Sequence, residues 1–289
     1  MTLSLLAHGR ARNTAATLMT LSLAGLTLAQ LHPARVDSAR GVRAAGPAMV
    51  AIATNPLSVA REGHTATLLH NGRVLVAGGR NESGSLNSAQ LYDPDAGTWS
   101  AAGNLGTPRH GHAAVMLPNG RVLVAGGQNG GSFLGSAEIY DPVVNEWSPA
   151  AAMGAARLRP TATLLANGKV LVVGGENAAG ALPSAEEYDP SGGAWSPTNP
   201  LTSPRRDHTA TLLATGRVLV TGGLTTTALK SAELYDPGAR RWRATADLNF
   251  GRRSHTATLL PDGTVLVAGG QDNNGPLSAA EVYTATNQT

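Results

Sequence analysis

The sequence predicts an all-β fold in which five copies of one module, each about 48 residues long, form antiparallel sheets. Two features predict it: paired glycines recur at spacings of 48, 48, 48 and 47 residues, and the large polar aromatic residues keep a fixed distance from them. The pairs are Gly78-Gly79, Gly126-Gly127, Gly174-Gly175, Gly222-Gly223 and Gly269-Gly270. A chain with 35 Gly, 17 Pro and only 2 Phe is typical of many short strands joined by turns.

Every tyrosine and every tryptophan occupies one position of the module. A tyrosine follows the second glycine by 13 residues, or 12 in the fourth copy, and a tryptophan follows seven residues later in the first four copies. These residues are Tyr92, Tyr140, Tyr188, Tyr235, Tyr283, Trp99, Trp147, Trp195 and Trp242. Because no such aromatic lies outside the module, we expect them to pack between repeated units.

Each copy divides into four predicted strands. The first copy illustrates the pattern, with a strand at 64–69, a two-residue turn at Asn71-Gly72 and a buried apolar strand that ends at the glycine pair. The third strand alternates and ends at Asp93-Pro94, and the fourth holds the tryptophan. A four-stranded sheet of this size cannot bury both faces alone, so the period predicts the blades of a β-propeller.

The same residues resemble the kelch repeat. Gly-Gly, Tyr and Trp stand at its spacings, with Arg-x-x-His before the first strand, over residues 47–285. Departures are few: Pro160 replaces the histidine of the third copy, Ala279 a serine, and Thr284 the aspartate after the last tyrosine. The resemblance implies a kelch-type β-propeller, similar at a distance to the propeller of galactose oxidase.

The ends of the repeat region predict a ring of five blades with four antiparallel strands each. The fifth copy lacks a fourth strand, while residues 48–54 have the composition of one and are followed by a join like those between copies. We therefore expect this N-terminal strand to complete the last blade and close the ring over 47–285, leaving 286–289 as a tail. A monomer is predicted, and the competing possibility is a truncated ring or self-association through open edges.

The N-terminal 29 residues predict a secretory signal peptide. Arg10 and Arg12 precede an apolar stretch at 17–29, and Thr27 and Ala29 suit the −3 and −1 positions of a cleavage site. Residues 30–46 are expected to form a flexible lead-in. The predicted location is secreted, periplasmic or at the cell surface.

Composition excludes several classes of function. After loss of the segment that holds Arg10 and Arg12, 20 basic and 19 acidic side chains remain, which is no excess for binding nucleic acid. No cysteine is present, so disulfides, thiolate nucleophiles and cysteine metal sites are excluded. No segment after the signal is apolar enough to span a membrane, and no motif calls for a cofactor.

Strand alternation sorts the connections onto two faces. The turns between strands one and two and between three and four share a face that we call the turn face. The loops between strands two and three and the connections from strand four to the next strand one share the other, which we call the loop face. Sequence variation between copies is concentrated in the loop-face segments 80–87, 128–135, 176–183, 224–230 and 271–277. Binding sites on rigid scaffolds lie in such loops, so the loop face is the predicted binding surface.

One arginine per copy is the candidate ligand-binding group. These are Arg61, Arg109, Arg157, Arg205 and Arg252. Near a channel mouth they could bind carboxylate, sulfate or acidic peptide groups, and in relatives with this motif the matching arginines often contact ligands. The alternative is that each one caps a neighbouring strand or pairs with an acid. Further residues specific to single copies break the symmetry, as a selective site requires: Arg159, Arg206, Asp207 and Arg253.

The repeated histidines are interpreted as core residues. His64, His112, His208 and His255 stand at one module position. Equivalent points of different blades are expected to lie too far apart for the ligand distances of about 2.0–2.2 Å that a zinc ion needs. The sequence therefore predicts no metal site.

Three classes of function remain, one of them a purely structural repeat protein. A non-catalytic binding module for a protein, peptide or glycan is favoured, because the chain has no recognisable nucleophile, phosphate loop or metal cluster. A copper radical oxidase like galactose oxidase is excluded, since that chemistry needs a cysteine-linked tyrosine. A kelch-type carbohydrate-active enzyme, such as a sugar-acid epimerase or lyase, is the alternative, since it needs only a few acids and bases in loops.

Overall fold

The glycine-marked copies fold as five successive antiparallel sheets in the computed structural model, which describes residues 53–284. The first four sheets have four strands and the fifth has three, and strand order in each follows the chain. No helix occurs within residues 53–284, and hence none that could cross a membrane. The all-β prediction with four-stranded sheets is confirmed.

The strands are numbered in chain order. Sheet 1 contains β1 (Thr65–Leu68), β2 (Val74–Ala77), β5 (Ser88–Asp93) and β6 (Thr98–Asn104). Sheet 2 contains β7 (Ala113–Met116), β8 (Val122–Ala125), β11 (Ala137–Asp141) and β12 (Glu146–Ala150). Sheet 3 contains β13 (Thr161–Leu164), β14 (Val170–Val173), β17 (Ala185–Asp189) and β18 (Ala194–Pro197). Sheet 4 contains β19 (Thr209–Leu212), β20 (Val218–Thr221), β21 (Ala232–Asp236) and β22 (Arg241–Ala244). Sheet 5 contains β23 (Thr256–Leu259), β24 (Val265–Ala268) and β25 (Ala280–Tyr283). Loop-face hairpins are formed by β3 (Arg80–Asn81) with β4 (Gly84–Ser85), β9 (Gln128–Asn129) with β10 (Ser132–Phe133), and β15 (Glu176–Asn177) with β16 (Gly180–Ala181).

The register within the sheets is set by the turns and the glycine pairs. In sheet 1, Val74 lies opposite both Leu68 and Tyr92, and Tyr92 lies opposite Trp99. The tight turn holds Gly72 at a φ of +81°, which glycine adopts without strain. The second strand of sheets 2, 3 and 4 is fully buried because it is central in its sheet and covered on both faces.

The core lies between sheets. Four apolar clusters fill the spaces between successive sheets, and the innermost strands β1, β7, β13, β19 and β23 lie side by side in that order. Burial of this interior supplies most of the driving force for folding at about 25 cal/mol per Å² of apolar surface. This is the stacking of sheets around an axis that the repeat predicts.

The tyrosines and tryptophans pack on each other and connect neighbouring sheets. Tyr140 packs on Trp147 with ring centroids 5.1 Å apart, and the other three pairs repeat this geometry. The indole N–H of Trp147 donates to the carbonyl of Ala102 in sheet 1 at 2.9 Å. The expected role of the aromatic residues in packing between units is confirmed.

Residues before sheet 1 adopt the geometry of a connection between sheets. The indole of Trp99 donates to the carbonyl of Asn55 at 2.8 Å, just as the other tryptophans reach the end of the preceding fourth strand. The signal peptide at 1–29, the lead-in at 30–46, most of the strand predicted at 48–54 and the tail at 286–289 lie outside the described residues. Sheet 5 has no fourth strand within the described range, so ring closure stays a prediction.

Candidate functional site on the loop face

The five repeated arginines lie where the loop face meets the sheets, and four of them are fully buried. Arg109, Arg157, Arg205 and Arg252 have 0% exposure. The guanidinium of Arg109 donates to the carbonyls of Gly126 and Ser136 at 2.8 and 3.0 Å, and to a carboxylate oxygen of Glu138 at 2.7 Å. It therefore joins the second and third strands of its own sheet at the glycine pair.

The glutamate partner completes a small network. Glu138 also accepts the backbone N–H groups of Gly106 and Thr107 at 2.6 and 3.1 Å, which fixes the connection from the preceding sheet. Burial lowers the pKa of Arg109, and the Glu138 carboxylate opposes that shift by its hydrogen bond and its charge. The same network recurs in the third, fourth and fifth sheets.

Sheet 1 departs from this network. Gln90 occupies the glutamate position, so Arg61 has no carboxylate partner in the described part of the chain. Arg61 still donates to Gly78 and Ser88, is half-buried, and burial lowers the pKa of its guanidinium. Gln90 accepts the N–H of Ser58 at 3.1 Å, as the glutamates accept theirs.

These contacts match the alternative role given in the sequence analysis, in which each arginine caps a strand or pairs with an acid. Their donors face carbonyls and a carboxylate, and a ligand would reach Arg109 only by displacing Glu138. That they contact a ligand stays a prediction. The repeated arginines alone do not show which of the two roles they have. The glutamate that recurs at the third-strand position is the sequence signal that favours the structural role.

The glycine pairs and histidines form the junctions between sheets. At the first junction, the N–H of Gly79 donates to the carbonyl of Arg109 at 2.8 Å. A Cβ on Gly78 would lie 2.5 Å from that same oxygen, so only glycine fits. Thr65 Oγ1 lies 2.9 Å from His112 Nε2, and burial with the charge of Arg109 lowers the pKa of His112 to about 3. The histidine is thus a neutral junction residue.

No cluster of three or more His, Asp or Glu residues within residues 53–284 could hold a metal ion. His208 and His255 repeat the junction role of His112, each with Nε2 at 3.0 Å from a first-strand threonine of the preceding sheet. His64, in sheet 1, is exposed and is the exception. Each of these histidines belongs to a different sheet.

The residues that directly follow the five repeated arginines line the inner edge of the loop face. We call this inner edge the mouth. Glu62, His110, Leu158, Arg206 and Arg253 each bridge the residue after a glycine pair. The next residue has positive φ in every copy, and backbone hydrogen bonds link this position between neighbouring sheets, as from Gly111 N to Gly63 O at 2.8 Å. The mouth is therefore a rigid backbone arc.

In sheets 3 to 5, residues other than glycine occupy the positions of this arc at which φ is positive. Arg159, Asp207 and Ser254 have φ values of +52°, +52° and +51°, while Gly63 and Gly111 hold the equivalent places. Non-glycine residues rarely adopt this region, and such outliers cluster at functional sites. The sequence signal that could have found them is this replacement of glycine by Arg, Asp and Ser at one module position.

Charge at the mouth is concentrated in the same three sheets. Arg159 Nη1 lies 3.4 Å from Asp207 Oδ1, and Arg206 pairs closely with Glu176. Arg253 is half-buried and has no acidic partner within residues 53–284. Of the blade-specific residues named from the sequence, Arg159 and Asp207 thus contact each other, and all four lie one or two residues after a fully buried template arginine.

A shallow groove lies between the loop-face hairpins of sheets 1 and 2. It has a volume of about 450 Å³, and its polar lining includes Glu62, Arg80, Ser85 and His110. Arg80 pairs with Glu62 at 2.8 Å, and Ser85 Oγ lies 2.9 Å from His110 Nδ1. Burial and the charge of Arg80 lower the pKa of His110, so its imidazole is neutral at pH 7.

Comparisons with known proteins agree with this architecture. A family model for the KLHDC2/KLHL20/DRC7 Kelch-repeats domain matches residues 63–270. The solved structure of YjhT is similar with a TM-score of 0.66 and 17% sequence identity, over 78% of this chain and 82% of that one. That similarity concerns the fold alone, and no curated protein matches. With most of its length matched by the family model, the chain belongs to the kelch-repeat family.

Proposed function

We propose that this chain is a non-catalytic binding module, secreted or exposed at the cell surface, that recognises a protein, peptide or glycan on its loop face. A kelch propeller is in general an interaction module. The observation that carries the finer proposal is the mouth of sheets 3 to 5, where Arg159, Asp207 and Ser254 hold backbone of positive φ and the charged Arg206 and Arg253 directly precede two of them. Positive φ at non-glycine residues is also found at Asn145 and Arg240 on the turn face, but at the mouth it falls on three successive sheets at one module position, and such outliers cluster at functional sites.

Arginine chemistry indicates the group that would be bound. Arg253 has no acidic partner within residues 53–284 and occupies in sheet 5 the module position that Arg206 occupies in sheet 4. A planar guanidinium binds carboxylate or sulfate through two parallel hydrogen bonds. An acidic peptide, a protein segment with Asp or Glu, or an acidic glycan supplies such a group. Asp207 and Glu176 on the same surface would select the orientation of the ligand.

The enzyme alternative has one observation in its favour. The groove between sheets 1 and 2 places a neutral imidazole, His110, near the carboxylate of Glu62 and the cation of Arg80. A sugar-acid epimerase or lyase would use such groups as base and anion clamp. However, Glu62 is held by Arg80 and His110 by Ser85, so we favour binding.

Five blades in one ring, acting as a monomer, are part of the same proposal. The support is that residues 53–61 adopt the connection geometry found between sheets, through the contacts of Asn55 with Trp99 and of Ser58 with Gln90. The strand predicted at 48–54 would complete sheet 5 beside β25; of it, only residues 53 and 54 are described, and they are not in a strand. Secretion by the segment at 1–29 is tested by locating the protein after expression of the full chain.

The test of binding is a peptide and glycan array probed with residues 47–289 of the wild type. Arg253→Ala and Arg206→Ala should remove the signal of any acidic ligand found. Arg121→Ala, on the turn face and paired with Asp141 at 2.8 Å, is the matched control and should retain it. Binding that survives both mouth substitutions would refute the site. Turnover of acidic sugars that is lost in His110→Ala would favour the enzyme.

A further inference from the structure

The sequence contains five Asn-Gly dipeptides, and the structure holds them in different ways. They are Asn71-Gly72, Asn119-Gly120, Asn129-Gly130, Asn167-Gly168 and Asn274-Gly275. An asparagine that precedes glycine loses its side-chain amide readily, because glycine has no side chain to shield its own backbone nitrogen. That nitrogen attacks the side-chain carbonyl carbon of the asparagine. The contacts of the glycine N–H therefore decide which of the five dipeptides reacts in the folded protein.

Four of the five glycine N–H groups are hydrogen-bonded. On the turn face, Gly72, Gly120 and Gly168 each donate to the carbonyl of the residue three positions earlier, at 2.9–3.0 Å. The side-chain oxygen of each preceding asparagine accepts the backbone N–H of the residue that follows the glycine, at 3.1 Å. In sheet 5, Gly275 donates to Asp272 Oδ1 at 3.0 Å. At these four positions the nitrogen must give up a hydrogen bond before it can attack.

The dipeptide Asn129-Gly130 is the exception. It lies at the tip of the hairpin of β9 and β10, where Asn129 is opposite Ser132. Neither the Gly130 N–H nor the Asn129 amide has a hydrogen-bond partner within residues 53–284. Gly130 is exposed, and a Cβ on Gly130 or on Gly131 would meet no atom within 4 Å. Both reacting groups are therefore unshielded.

The backbone around this dipeptide is also the easiest to rearrange. Gly130 and Gly131 have φ values of +53° and +87°, and glycine moves between backbone conformations with little steric cost. The strands β9 and β10 have two residues each and stand apart from the four strands of sheet 2. Opening of the hairpin tip thus breaks few contacts, as expected of a segment of low local stability.

We propose that Asn129 is a site of spontaneous deamidation, a covalent modification of the loop face that requires no enzyme. The Gly130 nitrogen gives its proton to solvent and bonds to Cγ of Asn129, the C–N bond of the side-chain amide breaks, and ammonia leaves. The product is a five-membered succinimide ring. Water then adds to one of the two ring carbonyls and opens the ring to aspartate or to isoaspartate. Water is the only co-reactant, and nothing is oxidised or reduced.

The modification changes the charge of the loop face. Gly130 and Gly131 line the groove between sheets 1 and 2, so the new carboxylate stands at the border of that groove. Because Glu62 and Glu82 already line the groove, an added negative charge disfavours acidic ligands there and favours cationic ones. The isoaspartate product also adds one carbon atom to the backbone of a hairpin tip that is two residues long. The groove of old protein should thus differ from that of new protein.

The test follows all five dipeptides in one molecule. The full chain is incubated at mildly alkaline pH, folded and in parallel in urea, and each Asn-Gly peptide is quantified over time by mass spectrometry. Folded Asn129 should react at close to its rate in urea. The three turn-face asparagines should react at least about fivefold more slowly when folded, which is the factor given by the net free energy of one hydrogen bond.

Asn129→Gln is the matched variant. Glutamine keeps the amide but would have to close a six-membered ring, so the variant should remain fully amidated at this position. The acidic species that accumulates in folded wild-type protein on ion exchange should then be absent. An isoaspartyl methyltransferase should label folded wild type after incubation and leave the variant unlabelled.

If Asn129 of the folded chain stays intact, or reacts no faster than the turn-face asparagines, the proposal is overturned. Acidic species that form equally in Asn129→Gln would overturn it as well. None of these readouts requires a ligand, and the site lies on sheet 2 rather than at the mouth of sheets 3 to 5. The deamidation site and the proposed binding function can therefore each fail without the other.

Discussion

Replacing Arg109 by alanine is the substitution that best separates structural support from ligand contact. The variant removes a guanidinium with 0% exposure and four hydrogen bonds, to Gly126, to two oxygens of Ser136 and to Glu138. What remains is a buried carboxylate whose partners are two backbone N–H groups, and carbonyls that lose their donors. We expect a large loss of stability and, for any ligand that the folded fraction binds, no specific loss of affinity.

The magnitude follows from burial. Removing one partner of a buried ion pair costs about 3–5 kcal/mol, because the other charge stays in a site of low polarity. A domain of this size is stable by about 5–15 kcal/mol, so Arg109→Ala should remain folded near 25 °C with a strongly lowered midpoint. Glu138→Gln should cost less, since the amide still accepts hydrogen bonds, as Gln90 does in sheet 1.

The assay is urea unfolding of wild type, Arg109→Ala and Arg253→Ala, followed by tryptophan fluorescence, with binding measured on the folded proteins. Arg253 is accessible and has no acidic partner in the described part of the chain, so its substitution should change the unfolding free energy by less than about 0.5 kcal/mol. If Arg109→Ala left stability within that same margin and abolished binding, the structural assignment would be refuted.

Three further substitutions follow from the same contacts. Gln90→Glu should give Arg61 its missing carboxylate and stabilise the fold by about 1–2 kcal/mol at pH 7, read as a higher urea midpoint; an unchanged midpoint would count against the network. Burial, then the charges of Arg205 and His255, lowers the pKa of His208 to about 3, while the unfolded value is about 6.5. Its contribution is therefore complete above about pH 6.5 and is lost as the pH falls toward 3, and His208→Gln should flatten acid unfolding by up to about 1.4 kcal/mol per pH unit. Trp147→Phe loses one indole hydrogen bond between sheets and should cost about 1–2 kcal/mol in the same urea assay, and an unaffected midpoint would contradict that role.

The repeat made most of the fold predictable. Gly72, Gly78 and Tyr92 mark a turn, a junction and an aromatic pair, and each recurs often enough that its spacing alone placed the strands. The environment of Arg109 was not predictable, because an arginine that caps strands and one that binds a ligand are required equally in every copy. The glutamate that recurs on the third strand is a sign of the capping role in the sequence, but its contact with Arg109 is visible only in three dimensions.

Prediction of the ring was limited for a different reason. Closure depends on the meeting of sheet 1 with sheet 5, which are separated by the whole repeat region, and no local signal such as a turn or a cap fixes that contact. Ala113 and Pro160 can be recognised as residues that face each other across a junction only after the structure has shown which module positions meet there.

Substitution of Arg159 should separate an effect on unfolding free energy from an effect on ligand binding most clearly. Its φ of +52° costs a non-glycine residue about 1–2 kcal/mol, whereas glycine raises the entropy of the unfolded chain by only about 0.4–1 kcal/mol. The ion pair with Asp207, between a side chain 57% exposed and one 12% exposed, contributes little. Arg159→Gly, which restores the residue found at Gly63 and Gly111, should therefore stabilise the protein by about 0.5–1 kcal/mol in urea unfolding while it weakens binding of an acidic ligand. Loss of stability would mean that the arginine has a structural task, and the argument from strain to function at the mouth would fail with it.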